Sequence, residues 1–94
     1  MRNSGKKPYA IEYDKRVIKH DIKKLDSQIR ERIRRVIESK LTADPVRAGK
    51  PLQNSPVGDR RLRVGNYRIT YEIDMKNDIV TIRAIGHHST IYKR

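Results

Sequence analysis

The sequence predicts a mixed α+β domain with the element order β-α-α-β-β-β, in which a helical hairpin packs against a mainly antiparallel four-stranded sheet. Apolar residues alternate with polar ones near the N-terminus and again between residues 60 and 86, which is the period of half-buried strands. Between these regions, apolar residues recur at the spacing of amphipathic helices. Two short turn signals divide the C-terminal region into three strands. A chain of 94 residues fits one domain.

The first strand and the first helix follow a basic, polar lead-in. Residues 1–8 are expected to be disordered, and a single domain is expected to span residues 9–94. Tyr9, Ile11 and Tyr13 alternate with smaller or polar residues, which predicts a strand with one buried side. Asp14 then supplies a helix N-cap. The apolar residues that follow at helical spacing are Val17, Ile18, Ile22 and Leu25.

A second helix begins after a short link and ends before a proline. Asp26 and Ser27 interrupt the first helical stripe and can cap this second helix. Proline disfavours a helical conformation in the residue before it, so Asp44-Pro45 ends the helix. The short link predicts an antiparallel helical hairpin, and the glycines and prolines of residues 45–59 predict a long loop. The second apolar stripe consists of Ile29, Ile33, Val36, Ile37 and Leu41.

The last three strands are joined by two turns that fix their pairing. Gly65-Asn66 is a hairpin signal, and Lys76-Asn77 lies between the next two strands. Counting outward from these turns places Arg63 opposite Arg68 and Thr70 opposite Arg83. Because side chains alternate between the two faces of a strand, one face is apolar and carries Leu62, Val64, Tyr67, Ile69, Tyr71, Ile73, Val80, Ile82 and Ala84. The other face carries Arg61, Arg63, Arg68, Thr70, Glu72, Thr81 and Arg83.

Four arginines therefore converge on the predicted outer face of the sheet. Like charges that face each other across a strand pair are destabilising, so Arg63 opposite Arg68 favours a site that binds an anion. A guanidinium group donates two parallel hydrogen bonds, which suits phosphate. The net charge of +12 also favours a polyanion, with nucleic acid first. The alternative is an ordinary solvated face that keeps the protein soluble.

The residues after the last strand add groups that can transfer protons. His87, His88 and Tyr92 follow the arginine-bearing strand directly, and imidazole is the side chain best suited to proton transfer near neutral pH. Cations, a base and an acid are what metal-free cleavage of RNA needs, because the 2′-hydroxyl attacks the adjacent phosphate and the 5′-oxygen leaves. Each residue taken singly also fits an ordinary surface or packing role. No cofactor is expected, and no metal, since no Cys or close acidic residue supports the two histidines.

Composition limits the expected environment. The chain has no Cys, which excludes disulfides and thiolate metal sites and suits a reducing compartment. No apolar run approaches the roughly 18 residues that a membrane span needs, and the lead-in lacks the apolar core of a signal peptide. A cytoplasmic protein that does not contact a membrane is therefore expected.

Two motifs and the element order resemble the RelE/ParE superfamily, which are toxins of bacterial and archaeal toxin–antitoxin pairs. The segment Arg61-Leu-Arg-Val-Gly-Asn-Tyr-Arg-Ile-Thr-Tyr-Glu-Ile73 is similar to the family's R-x-G-x-Y-R-h-h-Y core. The segment Ile85-Gly-His-His-Ser-Thr-Ile-Tyr92 is similar to its G-H-R-x-x-h-Y ending. The resemblance covers residues 9–92. It implies a ribonuclease that cuts messenger RNA in the ribosomal A site, beside ribosomal RNA, and that an acidic cognate antitoxin neutralises.

The resemblance also implies roles for individual residues. Arg68 matches the family's phosphate-stabilising arginine, and Arg61 matches a basic strand position implicated in catalysis. His87 matches the histidine of the G-H-R ending, and Tyr92 matches the terminal tyrosine near the scissile bond. His88 stands where the family usually has an arginine that acts as acid or phosphate ligand, and a histidine can do either.

One position before the hairpin departs from the family pattern. Asp59 stands where RelE proteins often have a catalytic lysine, and Arg60 or Lys50 is the candidate replacement. The assignment of base and acid stays open. The candidate catalytic residues are Arg61, Arg68, His87, His88 and Tyr92. The candidate RNA-binding residues are Lys50, Arg60, Arg63, Arg83 and Lys93.

Two other functions fit the same fold. A ParE-type toxin binds DNA gyrase and is not a nuclease. The combination of Arg68, the histidine pair and Tyr92 argues against it, since a pure binder does not need these groups. A plain RNA-binding module is the other alternative, and it predicts salt-sensitive binding without cleavage.

Overall fold

The strands of this protein form one mixed sheet in the computed structural model, which describes residues 8–52 and 59–87. The strands are β1 Ala10–Tyr13, β2 Lys50–Pro51, β3 Arg60–Val64, β4 Tyr67–Asp74 and β5 Ile79–His87. Their order is β1-β5-β4-β3-β2, with β1 parallel to β5 and the other neighbours antiparallel. The predicted α+β class is confirmed. Residues 1–7 of the predicted lead-in lie outside the described residues.

The helical region between β1 and β2 is built from three pieces. The first helical segment comprises Val17–Asp21, with π-helical hydrogen bonds, and a 3-10 turn at Ile22–Lys24. Helix α1 spans Ser27–Val36 and continues as a π-helical turn at Ile37–Leu41. Helix α2 is one turn long, Pro45–Ala48. Over the described residues, no helix has the length and apolar character that crossing a membrane requires.

The two aspartates predicted as N-caps behave differently. The carboxylate of Asp26 accepts a hydrogen bond from the Ile29 amide at 3.0 Å, which confirms the predicted start of α1. Asp14 accepts the Val17 amide at 3.0 Å through its backbone carbonyl, and no side chain caps this segment. The Asp14 carboxylate instead binds the Arg83 guanidinium at 3.1 Å. The predicted side-chain cap at Asp14 is therefore wrong, because an arginine from β5 binds that carboxylate.

The apolar stripes of the helical segments and the apolar face of the sheet pack into one core. Ile18 departs from its predicted stripe and is 52% exposed. The Ile22 amide donates to the carbonyl of Val17, five residues back, so this segment does not keep the α-helical spacing on which the predicted stripe was based. The buried core residues are Tyr9, Val17, Leu25, Ile33, Ile37, Leu41, Leu62, Val64, Ile69, Tyr71, Val80, Ile82 and Ile85.

The pairing of β4 with β5 departs from the predicted register at one point. The predicted register holds from the turn between β4 and β5 as far as Tyr71, which lies opposite Ile82. Beyond that point Ala84, rather than Arg83, lies opposite Thr70, so Arg83 forms a bulge. A bulge adds one residue to one strand, and counting from the turns does not detect it. The partners that follow are shifted by one residue: Ile69 with Ile85, Arg68 with Gly86 and Tyr67 with His87.

The predicted loop of residues 45–59 is ordered in its first half. Residues 45–51 contain α2 and β2, and residues 53–58 lie outside the described part. The Asp44 carboxylate accepts the Arg47 amide at 3.3 Å, and Pro45 occupies the first turn of α2. Asp44-Pro45 thus starts a helix, as proline commonly does at a first helical position. β2 pairs with β3 and adds a fifth strand to the predicted four.

Side chains of β3 and β4 hold α2 at both of its ends. The Tyr71 hydroxyl donates to the carbonyl of Pro45 at 2.6 Å. The Arg60 guanidinium donates to the carbonyls of Val46 and Gly49 at 2.5 and 2.9 Å. Burial raises the pKa of the Tyr71 hydroxyl above its ordinary value, although Arg60 opposes this shift, so the hydroxyl remains a donor at neutral pH. We call the contacts of Tyr71 and Arg60 with this segment the α2–β2 anchor.

Gly49 sits between α2 and β2 with no room for a side chain. A Cβ atom there would lie 2.3 Å from the carbonyl oxygen of Arg61 and 2.4 Å from the Tyr71 hydroxyl. The glycine backbone is extended, with φ −127° and ψ −175°, so close approach rather than an unusual conformation requires glycine here. The anchor therefore depends on direct packing of Gly49 on β3.

Gly49→Ala is expected to lower the free energy of unfolding by roughly 1–3 kcal/mol, the usual cost of overpacking. Tyr71→Phe should cost about 1 kcal/mol for its hydrogen bond. The Gly49→Ala/Tyr71→Phe double variant should not recover the stability that Gly49→Ala loses, because the Arg61 carbonyl still blocks the added methyl group. Urea denaturation followed by circular dichroism measures all three variants. An alanine variant as stable as the wild type would contradict the close approach.

Candidate nucleic-acid interface

A concave pocket opens where β2 joins the edge of the sheet. Its volume is about 360 Å³. Among the described residues that line it, four are cationic and none is acidic. We call this cavity the basic pocket, and its lining residues are Lys50, Arg61, Arg63, Arg68, Ala48, Gly49 and Leu62.

Strand pairing determines how the four cations are arranged. Lys50 lies opposite Arg61, and Arg63 lies opposite Arg68. Because directly paired residues of antiparallel strands present their side chains to the same face, all four lie on the face that the helices leave open. The predicted β3–β4 register is confirmed, and with it the like-charge pair across these strands.

Arg68 is the most enclosed of the four cations. It is 5% exposed, a degree of burial that arginine seldom reaches. Arg61 is half-buried, whereas Lys50 and Arg63 are exposed. The Nε of Arg63 donates to the Gly65 carbonyl at 2.9 Å, which places its guanidinium near the hairpin turn. The pocket thus combines an enclosed arginine, whose field is weakly screened by water, with accessible cations at its rim.

Arg83 does not join this group of cations. Its guanidinium binds Glu72 at 2.5 Å and Asp14 at 3.1 Å, so two carboxylates compensate its charge. Arg83 is itself the bulged residue of β5. The residue predicted to extend the RNA-binding face is therefore held in an ion-pair cluster and does not line the basic pocket.

Arg60 lies on the helix side of the sheet. It pairs with Tyr71 across β3 and β4, and its guanidinium binds the carbonyls of Val46 and Gly49. The sequence groups Arg60 with the RNA-binding residues. The structure instead places its charge in the α2–β2 anchor, away from the lining of the basic pocket.

His87 is also separated from the cations. It lies opposite Tyr67, and the two rings meet edge to face with centroids 5.4 Å apart. Along β5, Ile85 faces the core, so alternation turns His87 to the helix side and away from Arg61 and Arg68. Without the bulge, counting from the turn would have put His87 on the arginine face. The structure therefore does not bring His87 together with the predicted phosphate-binding arginines.

Three predicted site residues, His88, Tyr92 and Lys93, lie outside the described residues. Asp59, at the position that departs from the family pattern, is half-buried before β3, and its carbonyl accepts the Leu52 amide at 2.9 Å. Within residues 8–52 and 59–87, no group of three His, Cys, Asp or Glu side chains is arranged to hold a metal ion.

Sequence reasoning missed the wall that Ala48 and Gly49 add to the pocket. A signal was present, because an aspartate directly before a proline marks the start of a helix as well as the end of another. Sequence reasoning also assigned Tyr71 to the core without naming a hydrogen-bond partner for its hydroxyl. A buried tyrosine hydroxyl requires one, and that requirement pointed to an element packed over β4.

The chain matches a described protein family over most of its length. Residues 11–92 match the family described as "ParE toxin of type II toxin-antitoxin system, parDE". The chain is also similar to toxin RelG of Mycobacterium tuberculosis, with 31% identity over 87 residues. That match covers 93% of this chain and 99% of the relative.

Solved structures share the same fold. The toxin–antitoxin complex RelBE2 of Mycobacterium tuberculosis matches with a TM-score of 0.80 and 29% identity, over 87% of this chain and 93% of that chain. A mutant of the Escherichia coli toxin RelE in its free state matches with a TM-score of 0.68 and 26% identity, over 92% of each chain. The RelB–RelE complex of Methanococcus jannaschii matches with a TM-score of 0.65 and 29% identity, over 87% of this chain and 95% of that chain.

The family match, the similar toxin sequence and the shared fold all agree with the resemblance that the two sequence motifs indicate. The matched residues 11–92 include all of the basic pocket. The chain therefore belongs to the RelE/ParE superfamily, the toxins of type II toxin–antitoxin systems.

Proposed function

We propose that this toxin is a metal-independent endoribonuclease that cleaves messenger RNA in the ribosomal A site. The observation that carries the proposal is the basic pocket, with four cations and no acidic residue among its described lining. Its facing pair, Arg63 and Arg68, brings two like charges together across the strands, and an anion bound between them would stabilise this arrangement. The phosphate backbone of RNA is such an anion. Similarity to RelE toxins supports the activity that the sequence motifs imply.

The proposed reaction is a transesterification at one phosphate. The 2′-oxygen forms a bond to phosphorus and the bond from phosphorus to the 5′-oxygen breaks, which leaves a cyclic phosphate and a free 5′-hydroxyl. A base takes the proton from the 2′-hydroxyl and an acid gives one to the departing oxygen. Arg61 and Arg68 bind the non-bridging oxygens and stabilise the charge that builds on the five-coordinate phosphorus. Lys50 and Arg63 hold neighbouring phosphates.

The groups that move the protons are proposed from the sequence. His88 and Tyr92 are the candidates for proton transfer or for stacking on a base, and Lys93 is a candidate for backbone binding. We leave His87 out of the phosphate site because its ring lies against Tyr67 on the helix side. This division assigns phosphate binding to strands β2 to β4 and proton transfer to the C-terminal segment.

We further propose that an acidic antitoxin binds this toxin. The relatives from Mycobacterium tuberculosis and Methanococcus jannaschii were solved as toxin–antitoxin complexes. A net charge of +12 favours an acidic partner segment, since complementary charge speeds association and selects the partner. Action on the ribosome also implies a cytoplasmic location.

The family description favours a second candidate function, because it names ParE. A ParE-type toxin would bind DNA gyrase and leave RNA intact. The two functions make different demands on the basic pocket. A nuclease needs Arg61 and Arg68 on one phosphate, whereas binding to gyrase does not require an enclosed arginine.

Arg61→Gln and Arg68→Gln are each expected to slow cleavage of messenger RNA on programmed ribosomes by about a hundredfold or more. Removing one donor to a transition-state oxyanion typically has an effect of that size. The assay is run in EDTA and the cut sites are mapped by primer extension. Arg35→Gln, an exposed arginine on α1 that is outside the basic pocket, is the matched control and should cleave like the wild type.

Cleavage that survives both pocket substitutions would contradict the assigned roles. Inhibition of gyrase by the wild type with intact RNA would replace the nuclease with the ParE-type function. Salt-sensitive RNA binding with neither activity would identify a plain RNA-binding module.

The α2–β2 anchor predicts that Arg60 acts through Lys50. The Arg60 guanidinium holds the Gly49 carbonyl, directly before Lys50, yet does not line the pocket. Arg60→Met and Lys50→Met should therefore raise KM to a similar extent, with a smaller effect on kcat. The double variant should lose little more than either single variant, and Arg60→Lys should restore part of the loss. Additive losses in variants with unchanged melting temperature would show that Arg60 and Lys50 act independently.

A further inference from the structure

The last part of β5 extends past the end of β1. Tyr13, the last residue of β1, lies opposite Ile82, whereas β5 continues to His87 and stays paired with β4 on its other edge. Backbone groups of residues 83–87 that point to the β1 side therefore have no partner in β1. A buried amide at this edge needs an acceptor from another element of the fold.

Asp21 supplies such an acceptor from the first helical segment. Its carboxylate accepts the Ile85 amide at 2.9 Å, across 64 residues of sequence. Ile85 is buried, with 4% of its surface exposed, and Asp21 is half-buried. A hydrogen bond to a carboxylate is stronger than one between neutral groups, and a buried amide without a partner costs stability. The bond therefore ties β5 to the first helical segment just beyond the end of β1.

The direction of this amide is linked to the register of β5. In a strand, the N–H and C=O groups of one residue point to the same edge, and successive residues alternate between the two edges. The Ile82 carbonyl points to the β1 side, because it accepts the Asp14 amide at 3.0 Å. In a strand without a bulge, Ala84 rather than Ile85 would point the same way. The bond is therefore compatible only with the one-residue shift that the bulge introduces.

The register decides which residue lies beside Arg68. In the bulged strand, Gly86 is opposite Arg68, and directly paired residues present their side chains to the same face. Glycine places no side chain on the pocket face there. Without the bulge, Ile85 would lie opposite Arg68 with its side chain on that face. The basic pocket would then lose space and gain an apolar group beside its most enclosed cation.

Burial of the Ile85 side chain favours the same register. In the bulged strand Ile85 lies opposite Ile69 and packs in the core, whereas without the bulge the smaller Ala84 would take that position. Burial of the side chain does not satisfy the backbone amide, which needs its own acceptor. The two effects act on different atoms of one residue, so substitution of Asp21 separates them.

We propose that Asp21 is a positioning residue for the basic pocket. Its carboxylate stabilises the bulged register of β5, which keeps the Ile85 side chain in the core and leaves a glycine beside Arg68. Asp21 does not line the pocket and acts through the backbone of β5. The effect on RNA cleavage rests on the proposed function, whereas the effect on strand register does not.

The test compares two substitutions at each of two aspartates in the full chain. Asp21→Ala removes the acceptor, and Asp21→Asn removes the charge but keeps an oxygen that can accept the amide. Asp26→Ala and Asp26→Asn are the matched controls, since the Asp26 carboxylate also accepts one backbone amide, that of Ile29 at 3.0 Å. All four variants lose one negative charge, so the change in net charge is the same throughout.

Strand register is measured without RNA, by nuclear Overhauser effects between β4 and β5. The wild type should show a strong contact between the Hα atoms of Ile69 and Ile85, because the Ile85 amide points away from β4 and such pairs have the closer Cα atoms. In Asp21→Ala this contact should weaken, and one between Ile69 and Ala84 should appear. Asp21→Asn and both Asp26 variants should keep the wild-type pattern.

Cleavage of messenger RNA on programmed ribosomes is measured at a temperature at which each variant is folded. Asp21→Ala should lower kcat about tenfold more than Asp26→Ala does, a factor that corresponds to roughly one unsatisfied buried amide. KM should change less than kcat, because Arg68 is assigned to the transition state. Asp21→Asn should restore most of the loss.

The proposal is overturned if Asp21→Ala keeps the wild-type contact between Ile69 and Ile85 and cleaves like Asp26→Ala. Hydrogen exchange of the wild type needs no variant, and an Ile85 amide that exchanges rapidly would overturn the proposal even where Asp21→Ala does not fold. A wild type that cuts no messenger RNA, but whose register shifts in Asp21→Ala, would sink the proposed nuclease and keep Asp21 as the residue that shapes the basic pocket.

Discussion

Antiparallel pairing of β2, β3 and β4 forces four positive charges onto one patch of sheet. Once the hairpin turns at Gly65, Arg63 must face Arg68. The separate pairing of β2 with β3 places Lys50 opposite Arg61. The backbone hydrogen bonds fix these neighbours, so the four positive charges share one sheet face. A phosphate bound there would stabilise cations held this close together. The location and the proposed chemistry of the site both follow from this constraint.

Contacts in the rest of the domain hold these four cations in position. Tyr71 and Arg60 use the helix side of the same strands to hold α2, and Gly49 packs on the Arg61 carbonyl. This places Lys50 at the sheet edge. Elsewhere in the described residues, several carboxylates bind other cations or backbone amides. Asp14 and Glu72 bind Arg83, and acidic residues are absent from the described lining of the basic pocket. Packing and charge placement therefore act together.

The sequence correctly predicted the features that depend on local periodicity. It failed for the features that depend on contacts between residues far apart in the chain. The apolar stripe of α1 and the Arg63–Arg68 pairing follow from spacing and turn type, and both are confirmed. The bulge at Arg83 has no local signature, and it moves His87 to the helix side. α2 and β2 are too short to form by propensity. Side chains from β3 and β4 hold them in place.

The most direct test of the basic pocket uses a messenger RNA fragment with 2′-methoxy groups, which binds but cannot be cut. The Nε–Hε signals of the arginines are followed by nuclear magnetic resonance as the fragment is added. The account predicts that Arg61, Arg63 and Arg68 shift first and in parallel, while the ion-paired Arg83 and Arg34 change little. Shifts that spread evenly over all surface arginines, or that centre on Arg83, would contradict a phosphate site built by strand pairing.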